Sequence, residues 1–176
     1  MKGSSMRRVC WILLWCSVAF AATGQRTSGE QWRAATTAEL EAVLPARASV
    51  EKEHIETEMR TANGIINSRK EIIAVVVLIT AGYAADGKYS HFLLVQSPLV
   101  LDGHLTLKPG SYVVGWRRLD EGLEVHVFDS NTGTELGTGI ARPAQGTTRV
   151  ESFHIWPPSE HKGIQIGRFF LPYSLR

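Results

Sequence analysis

Glu71-Ile-Ile-Ala-Val-Val-Val-Leu-Ile-Thr-Ala81 is the stretch on which the reading of the fold turns. From Ile72 to Ile79 every residue is apolar and most are β-branched, which favours a pleated strand. Eight residues are too few to cross a bilayer as a helix, which takes about 20. A strand with one wet face alternates polar and apolar residues. This one does not, so both of its faces are expected to be dry. The rest of the chain must supply two covers.

Downstream, turn signals recur at short intervals. Asp86-Gly87, Asp102-Gly103, Pro109-Gly110, Leu119-Asp-Glu-Gly122 and Asn131-Thr-Gly133 separate short apolar runs, and Asp-Gly pairs are strong hairpin signals. The runs are Tyr89–Gln96, Leu99–Leu101, His104–Leu107, Ser111–Arg118, Leu123–Asp129 and Glu135–Ala141, followed by Arg149–Trp156 and Gly163–Phe170. Arg142 to Thr148 reads as a longer loop. About eight strands joined by hairpins, without βαβ alternation, predict an all-β, mainly antiparallel domain. A β-sandwich is the first expectation and a closed β-barrel the alternative. An outer-membrane barrel would need longer alternating strands with aromatic girdles, which are not seen.

Register can be argued for one hairpin. If Leu119–Gly122 closes it, Trp116 faces Val125, Val114 faces Val127 and Arg118 faces Leu123. Tyr112, Val114, Trp116, Leu123, Val125 and Val127 then share one face, and Arg117 meets Glu124 on the other. A one-residue slip would bury His126 and Asp129, which is costly.

Upstream, Thr36-Thr-Ala-Glu39 has the form of a capping box, with Leu40, Val43 and Leu44 on one helical face before Pro45. A short N-terminal helix is predicted there, and it is the expected cover for the second face of Ile72–Ile79. Were it to stand free, that face would become a homodimer or partner interface. Val50 to Ile66 fits either period, but Thr57 and Thr61, with polar residues between them, favour a strand. Asn63-Gly64 reads as a break and Asn67–Lys70 as a turn.

The first 21 residues have a basic start (Lys2, Arg7, Arg8), an apolar run from Val9 and an Ala19-Phe20-Ala21 end. This is the pattern of a secretory signal peptide. Arg7-Arg8 allows a twin-arginine route as a lesser alternative, while the bulky Trp15 before Cys16 argues against a lipid-modified cysteine. The expected product is exported, periplasmic or extracellular, with residues 22–35 as a flexible tether and 36–176 as a single domain. The chain has 19 Lys and Arg and 17 Asp and Glu. Lys2, Arg7 and Arg8 fall in the leader, which holds no acid, leaving 16 against 17. That near-neutral balance argues against nucleic-acid binding by bulk charge. Cys10 and Cys16 also lie in the leader, so the mature chain is expected to have neither disulfide nor thiol chemistry.

Leu107-Lys-Pro-Gly-Ser-Tyr112, followed by Val-Val-Gly-Trp116, resembles the L-x-P-G-x-Y-x-V lead into a strand of secreted immunoglobulin-like and prealbumin-like modules. That resemblance covers about ten residues. It implies a non-catalytic accessory or adhesion domain with protein or glycan contacts, and it transfers no site residue.

No H-E-x-x-H or G-x-S-x-G motif occurs, and no catalytic residue, metal ligand or cofactor is assigned. Asp129-Ser-Asn-Thr-Gly-Thr-Glu135 has the oxygen spacing of a calcium loop, but an Asx turn accounts for it more simply. His126, facing outward opposite Gly115, and the aromatic groups around Trp156-Pro-Pro158 and Tyr173 are the candidate binding surface. The leading expectation is a non-enzymatic module that binds a partner protein, glycan or envelope component, with no membrane span in the mature chain. A barrel for a small apolar ligand is the alternative. A hydrolase using histidine with a carboxylate is a third reading, requiring His91, His104, His126 or His154 to converge.

Overall fold

In the computed structural model, residues 31–79, 88–145 and 149–176 are described. The leader, the Asp86-Gly87 turn and part of the 142–148 loop lie outside them. Strand β1 (Arg33–Ala34) precedes helix α1 (Thr37–Glu41), and β2 (Arg47–Val50) and β3 (Glu53–Ile66) follow. The apolar stretch is β4 (Ile72–Leu78), then β5 (His91–Val95), β6 (Leu99–Leu101) and β7 (Leu105–Leu107). The remainder is β8 (Gly110–Leu119), β9 (Gly122–Asp129), β10 (Glu135–Pro143), β11 (Glu151–Ile155), β12 (Gly163–Gly167) and β13 (Phe169–Leu175).

The main path through the sheet runs β1-β3-β4-β5-β8-β9-β10-β13-β12-β11, with β2 on β3 and the β6–β7 hairpin attached to β13. All described pairings are antiparallel. The all-β class and the short helix are as expected. Between sandwich and closed barrel the chain takes an intermediate form, one sheet curled into an open half-barrel.

β4 is covered on both faces, with Val77 half-buried, but Ile79, expected to be dry with the rest of the run, lies past the end of the strand and is 42% exposed. Ile73 and Val75 look into the main core with Leu93, Val95, Val114, Val125 and Leu171. Ile72, Ala74, Val76 and Leu78 join a second core with Leu40, Leu44, Val50, Phe92 and Phe128. Full burial of each large aliphatic group contributes about 1.5–3 kcal/mol, which explains why an unbroken apolar run is placed here. The second cover is therefore α1 together with β2, and the condition set for a homodimer interface at that face is not met. The helix starts as predicted: the Thr36 hydroxyl accepts from the Glu39 N–H at 3.3 Å while the Glu39 carboxylate accepts from the Thr36 N–H at 3.0 Å.

The β8–β9 register is the one deduced from side-chain pattern, with Trp116 opposite Val125, Val114 opposite Val127 and Gly115 opposite His126. Leu119 itself pairs with Gly122, so the turn is the two residues between them. The concave side of the sheet is occupied by the β6–β7 hairpin, whose Leu99, Leu101, Leu105 and Leu107 are all buried in the main core.

Three elements differ from expectation. Asn63-Gly64 does not end a strand. It lies inside β3, just after a bulge at which the pairing with β4 jumps from Glu58–Val77 to Asn63–Val75. The Thr61 hydroxyl patches the interrupted ladder by accepting from the Val77 N–H at 3.0 Å. Gly163–Phe170, expected as one strand, divides at Arg168 into the antiparallel pair β12 and β13, and the proline at 172 lies inside β13. It is tolerated because Pro172 sits where β13 leaves β10 and turns to β6, and its carbonyl accepts from Asp102 N–H at 2.9 Å. Last, the described part of the expected tether is docked: Trp32 is 6% exposed in the main core, and Arg33 and Ala34 pair with Ile66 and Ile65.

Candidate functional site

The ends of β10, β11, β12 and β13 border an open cleft of about 580 Å³. Its lining includes Arg142, Pro143, Ala144 and Gln145 on one side, Trp156 and His161 on the other, with Gln165, Phe170 and Arg149 completing it.

Each wall has a local cause. Trp156 follows β11, and its N–H donates to the Gly163 carbonyl at 3.1 Å, which keeps the chain in line with β12. Pro157 then ends the ladder, and its carbonyl accepts from the N–H groups of Glu160 and His161 at 3.0 Å each. That tight return brings the His161 ring edge-on to the indole at 5.4 Å and beside Phe170 at 6.1 Å. Phe170 lies opposite both Arg142 and Gln165 in the ladder, so the floor is set by strand register. A side chain at position 163 would collide with the Phe170 ring, since a Cβ there would lie 2.1 Å from it. Gly163 thus allows Phe170 its place.

Gln165 organises the cleft. It is 4% exposed, in a strand otherwise made of Gly and Ile. Its Oε1 accepts from the Trp156 indole N–H at 3.1 Å. Its Nε2 donates to the Gly167 carbonyl at 3.0 Å and to the Arg149 carbonyl. One buried carboxamide therefore orients both the indole and the backbone that carries Arg149. The signal for it was present as a lone amide in the apolar run Gly163-Ile-Gln-Ile-Gly167, which the sequence reading passed over.

Of the three sequence-chosen residues, Trp156 and Tyr173 are brought together and His126 is not. Trp156 lines the cleft. Tyr173 is 5% exposed and supports it from below, its hydroxyl donating to the Trp156 carbonyl, and burial pushes its phenol well above the usual range. It also borders a second cleft with Trp32 and Leu175. His126 lies elsewhere, on the outer face of β9. Its Nδ1 is 2.7 Å from Glu135 and its Nε2 is 3.1 Å from Glu124, so a carboxylate stands at each ring nitrogen.

The other histidines do not converge. His91 is buried between Trp116 and Phe153, at centroid distances of 5.1 and 5.0 Å, and desolvation lowers its pKa to about 4. His104 sits in the β6–β7 turn, its ring nitrogens against the carbonyls of Asp102 and Thr138. His154 packs on Trp156 at 4.3 Å, with its pKa lowered chiefly by burial. Asp129 forms the Asx turn, accepting from the N–H groups of Asn131 and Thr132 at 3.0 and 2.9 Å. Among the described residues, no group of three or more His, Cys, Asp or Glu is placed to hold a metal ion.

Comparison with known proteins found no matching family model, no matching curated protein and no matching solved structure. The function must be read from the site. Its lining has two guanidinium groups, an imidazole, two amides and two aromatic rings, with no carboxylate among the described residues.

Proposed function

We propose that the chain is an exported, non-enzymatic β module that binds a glycan at the Trp156 cleft. Export is read from the leader pattern in residues 1–21. The glycan reading is carried by one observation: the Trp156 indole borders an open cleft, with its N–H fixed by the buried Gln165. The part of the indole not covered by His154, which packs on it at 4.3 Å, matches the apolar C–H face of a sugar ring, and the nearby amides and guanidinium groups match its hydroxyls. A cleft of about 580 Å³ falls within the range of small-ligand sites. A partner protein would be served better by a flatter and larger surface.

The test is a glycan panel followed by titration calorimetry on the best binder. Trp156→Ala is expected to weaken binding at least tenfold while leaving the far-ultraviolet circular dichroism unchanged. Equal binding by that variant would remove the cleft from consideration.

A further inference from the structure

Resting on the glycan-binding reading, we infer that the ligand is an acidic saccharide, with a ring carboxylate held between Arg142 and Arg149 while its sugar ring packs on Trp156. The local charge is the first argument. The mature chain is close to neutral, yet the cleft is lined by two arginines and His161, with no Asp or Glu among its described lining residues.

Both arginines have capacity to spare. Arg142 uses a single nitrogen, Nη1, which lies 3.3 Å from Asp102 and 3.4 Å from the Ile140 carbonyl. Arg149 makes one ion pair, at 3.4 Å from Glu151, and its side chain is otherwise 90% exposed. Each guanidinium has five N–H donors in a planar fork that matches a carboxylate through two parallel bonds. Asp102 and Glu151, which hold one nitrogen of each fork, are not among the residues that line the cleft. Gln165 holds the Arg149 carbonyl on the same side chain that fixes the indole, which couples the stacking surface to the charged one.

A second hollow continues from the first. Arg142 and Pro143 are shared by the cleft and by a neighbouring depression bordered by Leu119, Glu121, Gly122 and Ile140. A ligand longer than one sugar would run along it with an uncharged unit, because Glu121 repels a second carboxylate there. The class is therefore a carboxylated oligosaccharide.

The experiment titrates the purified protein with uronic-acid oligosaccharides and with sialyllactose, each beside its methyl ester, and with neutral oligosaccharides. At least one free acid is expected to bind tenfold or more tightly than its ester, with an affinity that falls as salt rises. Arg142→Gln/Arg149→Gln is expected to abolish that preference while keeping residual binding of the ester, and unchanged circular dichroism shows the variant is folded. Acid and ester binding equally, or neutral sugars binding while acids do not, would overturn this inference and leave the glycan reading standing. Failure of every neutral and acidic saccharide to bind would overturn both.

Discussion

Asn63 of β3 grips β11 with both arms of its carboxamide: Nδ2 donates to the Phe153 carbonyl at 2.6 Å, and Oδ1 accepts from the Ile155 N–H at 2.9 Å. These residues are about ninety positions apart in the chain. The side chain makes the pair of bonds that a neighbouring strand would make. It does so at the seam of the curled sheet, where no β3–β11 ladder is formed among the described residues. Phe153 and Ile155 bring the start of the Trp156 cleft with them. The seam therefore connects the first half of the fold to the candidate site.

Replacing Asn63 by Ala leaves a buried donor and acceptor without partners, at about 1–3 kcal/mol. The expected result is a lower urea midpoint and faster hydrogen exchange at the Ile155 amide. Asn63→Asp keeps the acceptor and loses the donor, so it should protect Ile155 better than Ala does. Equal exchange in wild type and Asn63→Ala would show that the seam is held by packing alone.

Gly64 is needed for close approach. A Cβ there would lie 2.4 Å from the Ile73 carbonyl oxygen and 2.7 Å from the Ala74 Cα, both backbone atoms that cannot swing away. Gly64→Ala is expected to cost about 3 kcal/mol, at the upper end of ordinary overpacking. Thermal unfolding measures it, and a loss below 1 kcal/mol would mean that β3 can shift outward at the bulge.

His91 makes stability depend on pH. Its Nε2 is buried without a partner, and its folded pKa is about 4 against an ordinary 6.5. A histidine kept neutral in the fold stabilises it fully above about pH 6.5, and that stability is lost as pH falls to about 4. The loss is about 3 kcal/mol across that window. His154 has the same sign, because burial lowers its pKa too. The hydrogen-bonded carboxylates Glu58, Glu71 and Glu124 are held below their ordinary 4.5, so their losses begin lower. Urea unfolding between pH 7 and 4.5 therefore reports the histidines. His91→Phe, which fits a slot between two aromatic rings, is expected to flatten most of the dependence, and an unchanged slope would place the sensitivity elsewhere.

Gln165→Leu removes the acceptor of the indole N–H and the donors to two carbonyls. The expected outcome is at least a tenfold loss of ligand affinity and a shift of the Trp156 indole proton resonance, identified by its absence in Trp156→Ala. Gln165→Glu retains the indole acceptor and should keep that resonance nearer its native position. If Gln165→Leu binds ligand normally, the indole is positioned by Pro157 and its neighbours instead.

The parts of the fold legible in sequence are those governed by local chemistry. The capping box at Thr36–Glu39 and the β8–β9 register needed only side-chain periodicity and the cost of burying His126 or Asp129. The Asp102-Gly103 turn was equally local, with both residues at positive φ. The bulge in β3 was misread because Asn63-Gly64 has the composition of a break, and only the approach of β4 and β11 makes it part of a strand. The cleft was half legible. Trp156 was chosen for its aromatic neighbours, whereas Gln165, Arg142 and Arg149 come from three separate segments.

For Ile72–Leu78, the sequence alone determined that both faces would be buried, because an unbroken β-branched run has no polar side to offer water. Which elements provided the cover was decided by tertiary structure: the β6–β7 hairpin and the far strands on one face, α1 and β2 on the other. The same division holds for the seam and the cleft. Local propensity acts on neighbours in the chain, but the curl that brings Asn63 to Ile155, and Gln165 between Trp156 and Arg149, comes from the summed twist and packing of many strands.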